Sequence, residues 1–306
     1  MAQNLNPQQQ AALKYIDGPL LVLAGAGSGK TSVITRKIAY LVEECGIPAR
    51  NIAAVTFTNK AAREMKARVS SLLGKADGKG LTVSTFHNLG LTIIRTEIKA
   101  LGFKPGFSIL DQEDCKNLLK ELLVRHTELD EKLIDTAQNT ISNWKNSLLE
   151  PHQTVGAANS TGEQAVAMLY ERYQRALKAY NAVDFDDLIM TPVLLFRGQP
   201  EILAKWQRRI RYLLVDEYQD TNLAQYELVK TLVNDKQALT VVGDDDQSIY
   251  AWRGARPENL MQLQEDFPTL NVIKLEQNYR STGRILKAAN TLIDNNPHLI
   301  SKALWS

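Results

Sequence analysis

An apolar run, Leu20–Ala24, passes without a break into Gly25, Ala26, Gly27, Ser28, Gly29, Lys30 and Thr31, and a helical pattern begins at once beyond them. No other stretch restricts the fold so tightly. Glycines let the backbone curl into a ring of N–H donors, the following helix aims its positive end at whatever the ring encloses, and Lys30 adds a cation. The Thr31 hydroxyl is suited to Mg²⁺. These are the needs of a polyphosphate, and the whole strand–loop–helix is read as a phosphate-binding unit. Ala24 stands where the usual pattern starts with glycine, and it is small enough for the turn. A simple glycine-rich link between strand and helix would not require the lysine and threonine that close the motif.

Other short apolar runs are continuous rather than alternating, at 52–57, 81–86, Tyr212–Val215, 239–242 and 272–275. Continuous runs suit strands buried on both faces of a parallel sheet. Helical patterns separate them: 32–44 carries Val33, Ile34, Ile38 and Leu41 on one stripe, 59–73 is amphipathic, and 222–233 repeats Leu223, Tyr226, Val229 and Val233. The expected fold is therefore α/β, a parallel sheet with helices on both faces. Between about residues 105 and 183 the strand signal vanishes, which predicts an inserted all-helical subdomain with helices over 111–124 and 163–180. Asp111 with Asp114 three residues on predicts a capped start for the first. The Gly, Ala, Ser and Thr of 151–162 predict a flexible loop.

A polyphosphate loop that hydrolyses its ligand needs a carboxylate for the metal and a group that takes a proton from water. Asp216 and Glu217 emerge at the carboxyl end of the Tyr212–Val215 run, where open α/β sheets place their ligands. Asp216 is read as the Mg²⁺ holder and Glu217 as the general base. After the 239–242 run come Asp244, Asp245, Asp246 and Gln247. Gln247, with an uncharged donor and acceptor, suits a γ-phosphate or the attacking water. The aspartates lack the Gly and Glu of a calcium loop and are assigned no metal; they are read as a solvated turn or N-cap.

Composition sets outer limits. A chain of 306 residues with 44% hydrophobic and 23% charged side chains can bury real cores, which excludes wholesale disorder. Its two cysteines cannot build a disulfide framework and have no zinc-ligand spacing around them, which suits a reducing cytoplasm. No uncharged stretch approaches the about 20 apolar residues of a membrane-spanning helix, and the start is unlike a signal peptide. The net charge of +2 divides unevenly: residues 1–110 carry +8 and residues 111–306 carry −6. The basic first third is compatible with a polyanionic partner or with an ordinary mixed surface.

Together the motifs resemble one family. LNPQQ at 5–9, AGAGSGKT at 24–31, TFTNKAAREM at 56–65, STFHNLG at 84–90, DFDDL at 184–188, LLVDEYQDTN at 213–222, VVGDDDQSIYAWRGA at 241–255 and LEQNYRS at 275–281 occur in the order of superfamily 1 DNA helicases of the UvrD/PcrA/Rep family, nearest to its Rep branch. The resemblance implies a RecA-like core, ATP with Mg²⁺, and 3′-to-5′ movement on single-stranded DNA and single/double-strand junctions. It gives Gln9 and Tyr279 to the adenine, and Arg36 and Arg280 to the γ-phosphate, Arg280 as an arginine finger. It gives Phe57, Asn59, Phe86, His87, Phe185, Tyr250, Trp252 and Arg253 to the DNA strand, where aromatic faces stack on bases whatever their sequence. It divides the chain into a discontinuous core (1–104 and 184–275), the insertion (105–183) and the start of a second core (276–306). The chain would then be the amino-terminal portion of a longer motor, inactive in unwinding by itself, with protein partners in replication or repair. Two other readings stay open on the residues alone: a small-molecule kinase on the same loop, and a nucleotide-gated DNA-binding module without motor activity.

Overall fold

The computed structural model describes residues 5–74, 77–123, 131–158, 160–251, 254–296 and 302–306. Packing divides the chain into two compact units, one of residues 1–86, 200–222 and 229–306, the other of residues 87–199 and 223–228. In chain order the elements begin α1 (Pro7–Lys14), β1 (Leu20–Ala24), α2 (Lys30–Glu43), β2 (Ile52–Thr56), α3 (Asn59–Leu72), β3 (Thr82–Thr85) and α4 (Phe86–Thr96). There follow β4 (Ser108–Leu110), α5 (Gln112–Leu123), α6 (Glu131–Asn146), α7 (Pro151–Ala157), α8 (Thr161–Ala179), β5 (Ala182–Asp184), α9 (Asp187–Gly198) and α10 (Pro200–Arg209). The chain ends with β6 (Tyr212–Val215), α11 (Leu223–Leu232), β7 (Leu239–Gly243), α12 (Asn259–Asp266), β8 (Asn271–Leu275) and α13 (Gly283–Ile293).

The first unit is built on a six-stranded sheet in the order β3-β2-β6-β7-β1-β8, every pairing parallel. Every residue of β1, β2, β6 and β7 is buried, which is why their sequences run apolar without alternation. Side chains still alternate between faces: Leu20, Val22 and Ala24 share one core with Ile52, Ala54, Tyr212 and Leu214, and with Val33, Ile34 and Ile38 of α2 and Met65 and Val69 of α3. Parallel pairing puts the carboxyl ends of all six strands on one edge, and the phosphate loop, Asp216 and Asp244 all begin there. This is the doubly covered parallel sheet that the apolar runs predict, in its RecA-like form. Among the described residues no helix is long and apolar enough to cross a membrane.

The second unit departs from expectation in two places. Its stretch is not wholly helical: β4 and β5 pair in parallel, Ser108 opposite Ala182 and Leu110 opposite Asp184. Three-residue strands are too short to leave a periodic signature. Nor is 151–162 a loop, because α7 occupies Pro151–Ala157. Pro151 stands at the first helical position, and the Glu150 N–H donates to Gln153 Oε1 at 2.8 Å, so start signals outweigh the small-residue composition. The predicted cap of α5 is present: Asp111 Oδ1 accepts from the N–H groups of Glu113 and Asp114, and Asp114 Oδ2 accepts from the Asp111 N–H.

A fully buried Lys145 holds this unit's centre. Its ammonium reaches Asp184 Oδ2 at 2.7 Å and Asp187 Oδ1 at 2.8 Å, while Tyr173 donates to Asp184 Oδ2 at 2.9 Å. Burial by itself would raise the Asp184 pKa, but Lys145 and the hydrogen bonds reverse this and hold it below the usual carboxylate value. The Asp187 N–H donates to Asp184 Oδ1 and the Asp184 N–H to Asp187 Oδ2. Two of the three acids in the DFDDL block are thus structural.

Candidate nucleotide site

The loop between β1 and α2 owes its shape to two glycines with positive φ, Gly27 at +73° and Gly29 at +92°. A Cβ on Gly27 would lie 2.7 Å from both Arg280 Cβ and Asn278 Nδ2, and one on Gly29 would lie 2.9 Å from Gln9 Nε2. Glycine is required there by conformation and by space. Ser28 is buried and closes the loop with its hydroxyl, which donates to the Gly25 carbonyl at 2.7 Å. Gly29 precedes α2 without a side-chain cap, so the helix N-terminus stays open to an anion.

Among the described residues Lys30 Nζ is buried and makes no hydrogen bond, and its one acidic neighbour within 4 Å is Glu217 Oε2 at 3.4 Å. A buried ammonium normally finds acceptors. The orphaned donor beside an uncapped helix start fits a phosphate, and Thr31 in the first turn and Asp216 opposite fit its metal.

Asp216 follows β6 directly and is 5% exposed. Its N–H donates to the Val55 carbonyl at 2.9 Å, and its Oδ1 accepts from the Glu217 N–H at 3.0 Å. Burial, then the charge of Glu217, pushes its pKa up to about 6, and Asp220 rises to about 6 for the same two reasons. A divalent cation would reverse that push. Glu217 sits in the left-handed region at φ +52°, which turns its side chain out of strand geometry. Gln219, which sequence reasoning passed over inside LLVDEYQDTN, is nearly fully buried and joins two motifs: its Nε2 donates to Glu217 Oε2 at 2.9 Å and its Oε1 accepts from the Asp244 N–H at 3.0 Å.

Gln247 donates through Nε2 to Asp244 Oδ2. Asp244 caps the short turn after β7 as expected, but the triplet is not a solvated one. Lys302 meets all three carboxylates, and Asp244 is 2% exposed. The counter-charge lies 57 positions away and leaves no local signal.

Gln9, Asn278, Tyr279 and Arg280 gather against the loop on the same edge. Gln9 is buried; its Nε2 donates to the Ser28 carbonyl at 2.9 Å and its Oε1 accepts from the Asn6 N–H at 3.0 Å. Tyr279 donates its N–H to the Gly27 carbonyl at 3.0 Å, accepts at its hydroxyl from Asn6 Nδ2 at 2.9 Å, and keeps 51% of its surface exposed. Asn278, also passed over, donates to the Ala26 carbonyl and accepts from the N–H groups of Arg280 and Ser281, and so fixes the turn that carries Arg280. Arg280 is exposed, with its Cβ over the loop. Arg36 lies half-buried in the second turn of α2.

Of the residues expected on DNA, the first unit holds Phe57, Asn59, Phe86 and Tyr250. Phe57, just past β2, is half-buried and packs edge-on against Phe86, centroids 5.3 Å apart. Phe86 is 1% exposed and backs Phe57 without offering a face of its own. Asn59 starts α3 and is exposed, as is Tyr250 at 39%. Trp252 and Arg253 lie outside the described residues. In the second unit Phe185 is 53% exposed, although Asp184 before it and Asp187 two residues after it are held inside by Lys145, and it meets half-buried His87 edge-on at 5.8 Å. Burial lowers the His87 pKa, which favours a neutral ring.

The model of the UvrD/REP helicase N-terminal domain matches residues 5–268. The ATP-dependent DNA helicase Rep of Escherichia coli K12 is 59% identical over 302 residues, 99% of this chain and 45% of that protein. The ATP-dependent DNA helicase PcrA of Bacillus subtilis is 49% identical over 308 residues, 100% of this chain and 41% of that protein. The chain thus spans less than half the length of these curated relatives.

Proposed function

Because this chain belongs to the UvrD/REP helicase family, we propose that it is the ATP-binding portion of a motor that moves 3′-to-5′ on single-stranded DNA and opens duplex at single/double-strand junctions. The observation that carries the proposal is the buried Lys30 ammonium, without a hydrogen bond, 3.4 Å from Glu217. Bound ATP–Mg²⁺ would supply the phosphoryl group and the charge neutralisation that its transfer to water needs. Lys30 and the loop N–H groups hold the β and γ phosphates, and Thr31 and Asp216 hold the metal. Glu217 takes the proton of the attacking water, and Gln247 orients that water. Arg280, with Arg36, offsets charge that grows at the γ-phosphate. Gln9 and Tyr279 hold the adenine, Tyr279 by its exposed ring. Phe57, Tyr250 and Phe185 offer faces to bases, and the basic first 110 residues favour a polyanion, so binding weakens as salt rises. A cytoplasmic location and protein partners in replication or repair belong to the same proposal.

The test is ATP turnover by the longer protein with and without single-stranded DNA. DNA should stimulate it, and Glu217→Gln should keep nucleotide affinity while turnover falls by about 10²–10⁴, the usual worth of a general base. Turnover indifferent to DNA, or unaltered in Glu217→Gln, would remove the motor reading or the base respectively. A kinase would instead transfer phosphate to an added acceptor.

A further inference from the structure

Asp244, Asp245 and Asp246 have no role in the proposal above, yet they are tightly held. Lys302 Nζ lies 2.6 Å from Asp244 Oδ1, 2.5 Å from Asp245 Oδ1 and 2.9 Å from Asp246 Oδ2, and the Lys302 side chain is 3% exposed. Three adjacent carboxylates repel one another, and a buried one without a counter-charge takes up a proton or turns to solvent. Asp244 is the member with consequences. Its Oδ2 accepts from Gln247 Nε2, and its N–H donates to Gln219, which holds Glu217. One set of contacts therefore runs from Lys302 through Asp244 to both polar groups assigned to the attacking water.

The segment bearing Lys302 is also fastened to the other side of the site. The Ala303 N–H donates to Glu276 Oε1 at 3.1 Å, the Trp305 N–H donates to the Glu276 carbonyl at 3.0 Å, and the Trp305 carbonyl accepts from the Asn278 N–H at 2.7 Å. Leu304 lies on the phosphate loop, where a Cβ on Gly25 would fall 2.2 Å from its Cδ2. Lys302 thus joins the Asp244–Gln247 turn to the stretch that carries Tyr279 and Arg280.

We propose that Lys302 is a positioning residue for ATP hydrolysis, acting through Asp244 to hold Gln247 and, by way of Gln219, Glu217 in register. The inference rests on the ATPase reading and deepens it. It predicts that losing the Lys302 ammonium slows turnover without weakening the grip on nucleotide, because Gln9 and Tyr279 are held by their own bonds to Ser28, Gly27 and Asn6, and the segment's backbone bonds to Glu276 and Asn278 do not involve the Lys302 side chain.

In the longer protein with saturating single-stranded DNA, Lys302→Met should lower kcat for ATP by about tenfold or more, as loss of positioning does. KM for ATP and affinity for a fluorescent ADP analogue should stay within about twofold, and Lys302→Arg should restore most of the rate. In a Gln247→Ala background Lys302→Met should cost less than it does in wild type, since only the path through Gln219 to Glu217 is left to disturb. Lys302→Gln serves the same purpose should Lys302→Met fail to fold. An unchanged kcat, additive losses with Gln247→Ala, or parallel loss of ADP affinity without rescue by arginine would each overturn the proposal. Wild-type protein with no DNA-stimulated turnover would instead sink the ATPase reading beneath it.

Discussion

Lys145 and Lys30 each carry a buried ammonium, one in each unit, and they are buried on opposite terms. Lys145 is fully enclosed, and every charge it faces is answered by two carboxylates that also bond to each other's backbone. Lys30 has one carboxylate at 3.4 Å and no hydrogen bond. A satisfied buried charge is part of the scaffold; an unsatisfied one is stability withheld for a ligand. The same substitution should therefore give different results. Lys145→Met leaves two buried aspartates uncompensated and should cost about 3–5 kcal/mol. Lys30→Met removes a poorly paired ammonium and should change ligand-free stability by less than about 1 kcal/mol, either neutrally or upward, while abolishing nucleotide affinity. Denaturant unfolding without nucleotide checks both, and equal destabilisation would break the comparison.

Lys37 sharpens it as a third case. It is fully buried in the first unit and donates to the carbonyls of Ala12 at 2.8 Å and Tyr15 at 2.5 Å, so its hydrogen bonds are made while, among the described residues, no carboxylate pairs with its charge. Tyr212 lies beneath it at 5.8 Å. Burial lowers its pKa to about 7, with the nearby Cys45 acting weakly the other way. The unfolded chain holds this proton up to the ordinary lysine range, whereas the folded chain releases it near neutrality. The unfolded state therefore binds more protons above pH 7, and stability should rise with pH across that window. One proton gives at most about 1.4 kcal/mol per pH unit. Unfolding free energies at pH 7.5 and 9 should differ by about 1–2 kcal/mol more in wild type than in Lys37→Met. Parallel curves would show that Lys37 keeps its proton.

How these lysines differ could not be read from sequence, although much around them could. Leu20–Ala24 and Tyr212–Val215 announce themselves because strands buried on both faces must be apolar throughout. Lys30, Thr31 and Asp216 are legible because each follows such a strand or the glycines after it. The partners that set their energetics are remote in the chain: Lys145 lies 39 residues before Asp184, and Lys302 lies 57 after Asp245. Such pairs satisfy burial, which only the fold creates. Gln219 and Asn278 stand inside named motifs and are still passed over, since a neutral amide shows its worth only when both ends are seen bonded. The loss of β4 and β5 has another cause, for three residues carry no period.

Backbone conformation separates Glu217 from Asn181 as charge separates the lysines, on a smaller scale. Asn181 in the second unit has φ +52°, and its side chain accepts from the Lys104 N–H at 2.8 Å and donates to the Lys104 carbonyl at 3.1 Å, so a residue suited to that conformation also gains from it. Glu217 has the same φ of +52°, is less suited to it, and spends its carboxylate on a loose contact with Lys30 and a bond from Gln219. Strain kept at a functional position and relieved at a structural one is the same division that the lysines draw. Glu217→Gly should release it, raising stability by about 0.5–1 kcal/mol after the lost Gln219 bond is counted, while turnover disappears. Asn181→Gly relieves no comparable strain and gives up two hydrogen bonds, so it should destabilise. Thermal melts of the two variants without nucleotide measure the contrast, and a Glu217→Gly protein destabilised as much as Asn181→Gly would mean that the left-handed turn is held by the carboxylate rather than imposed on it.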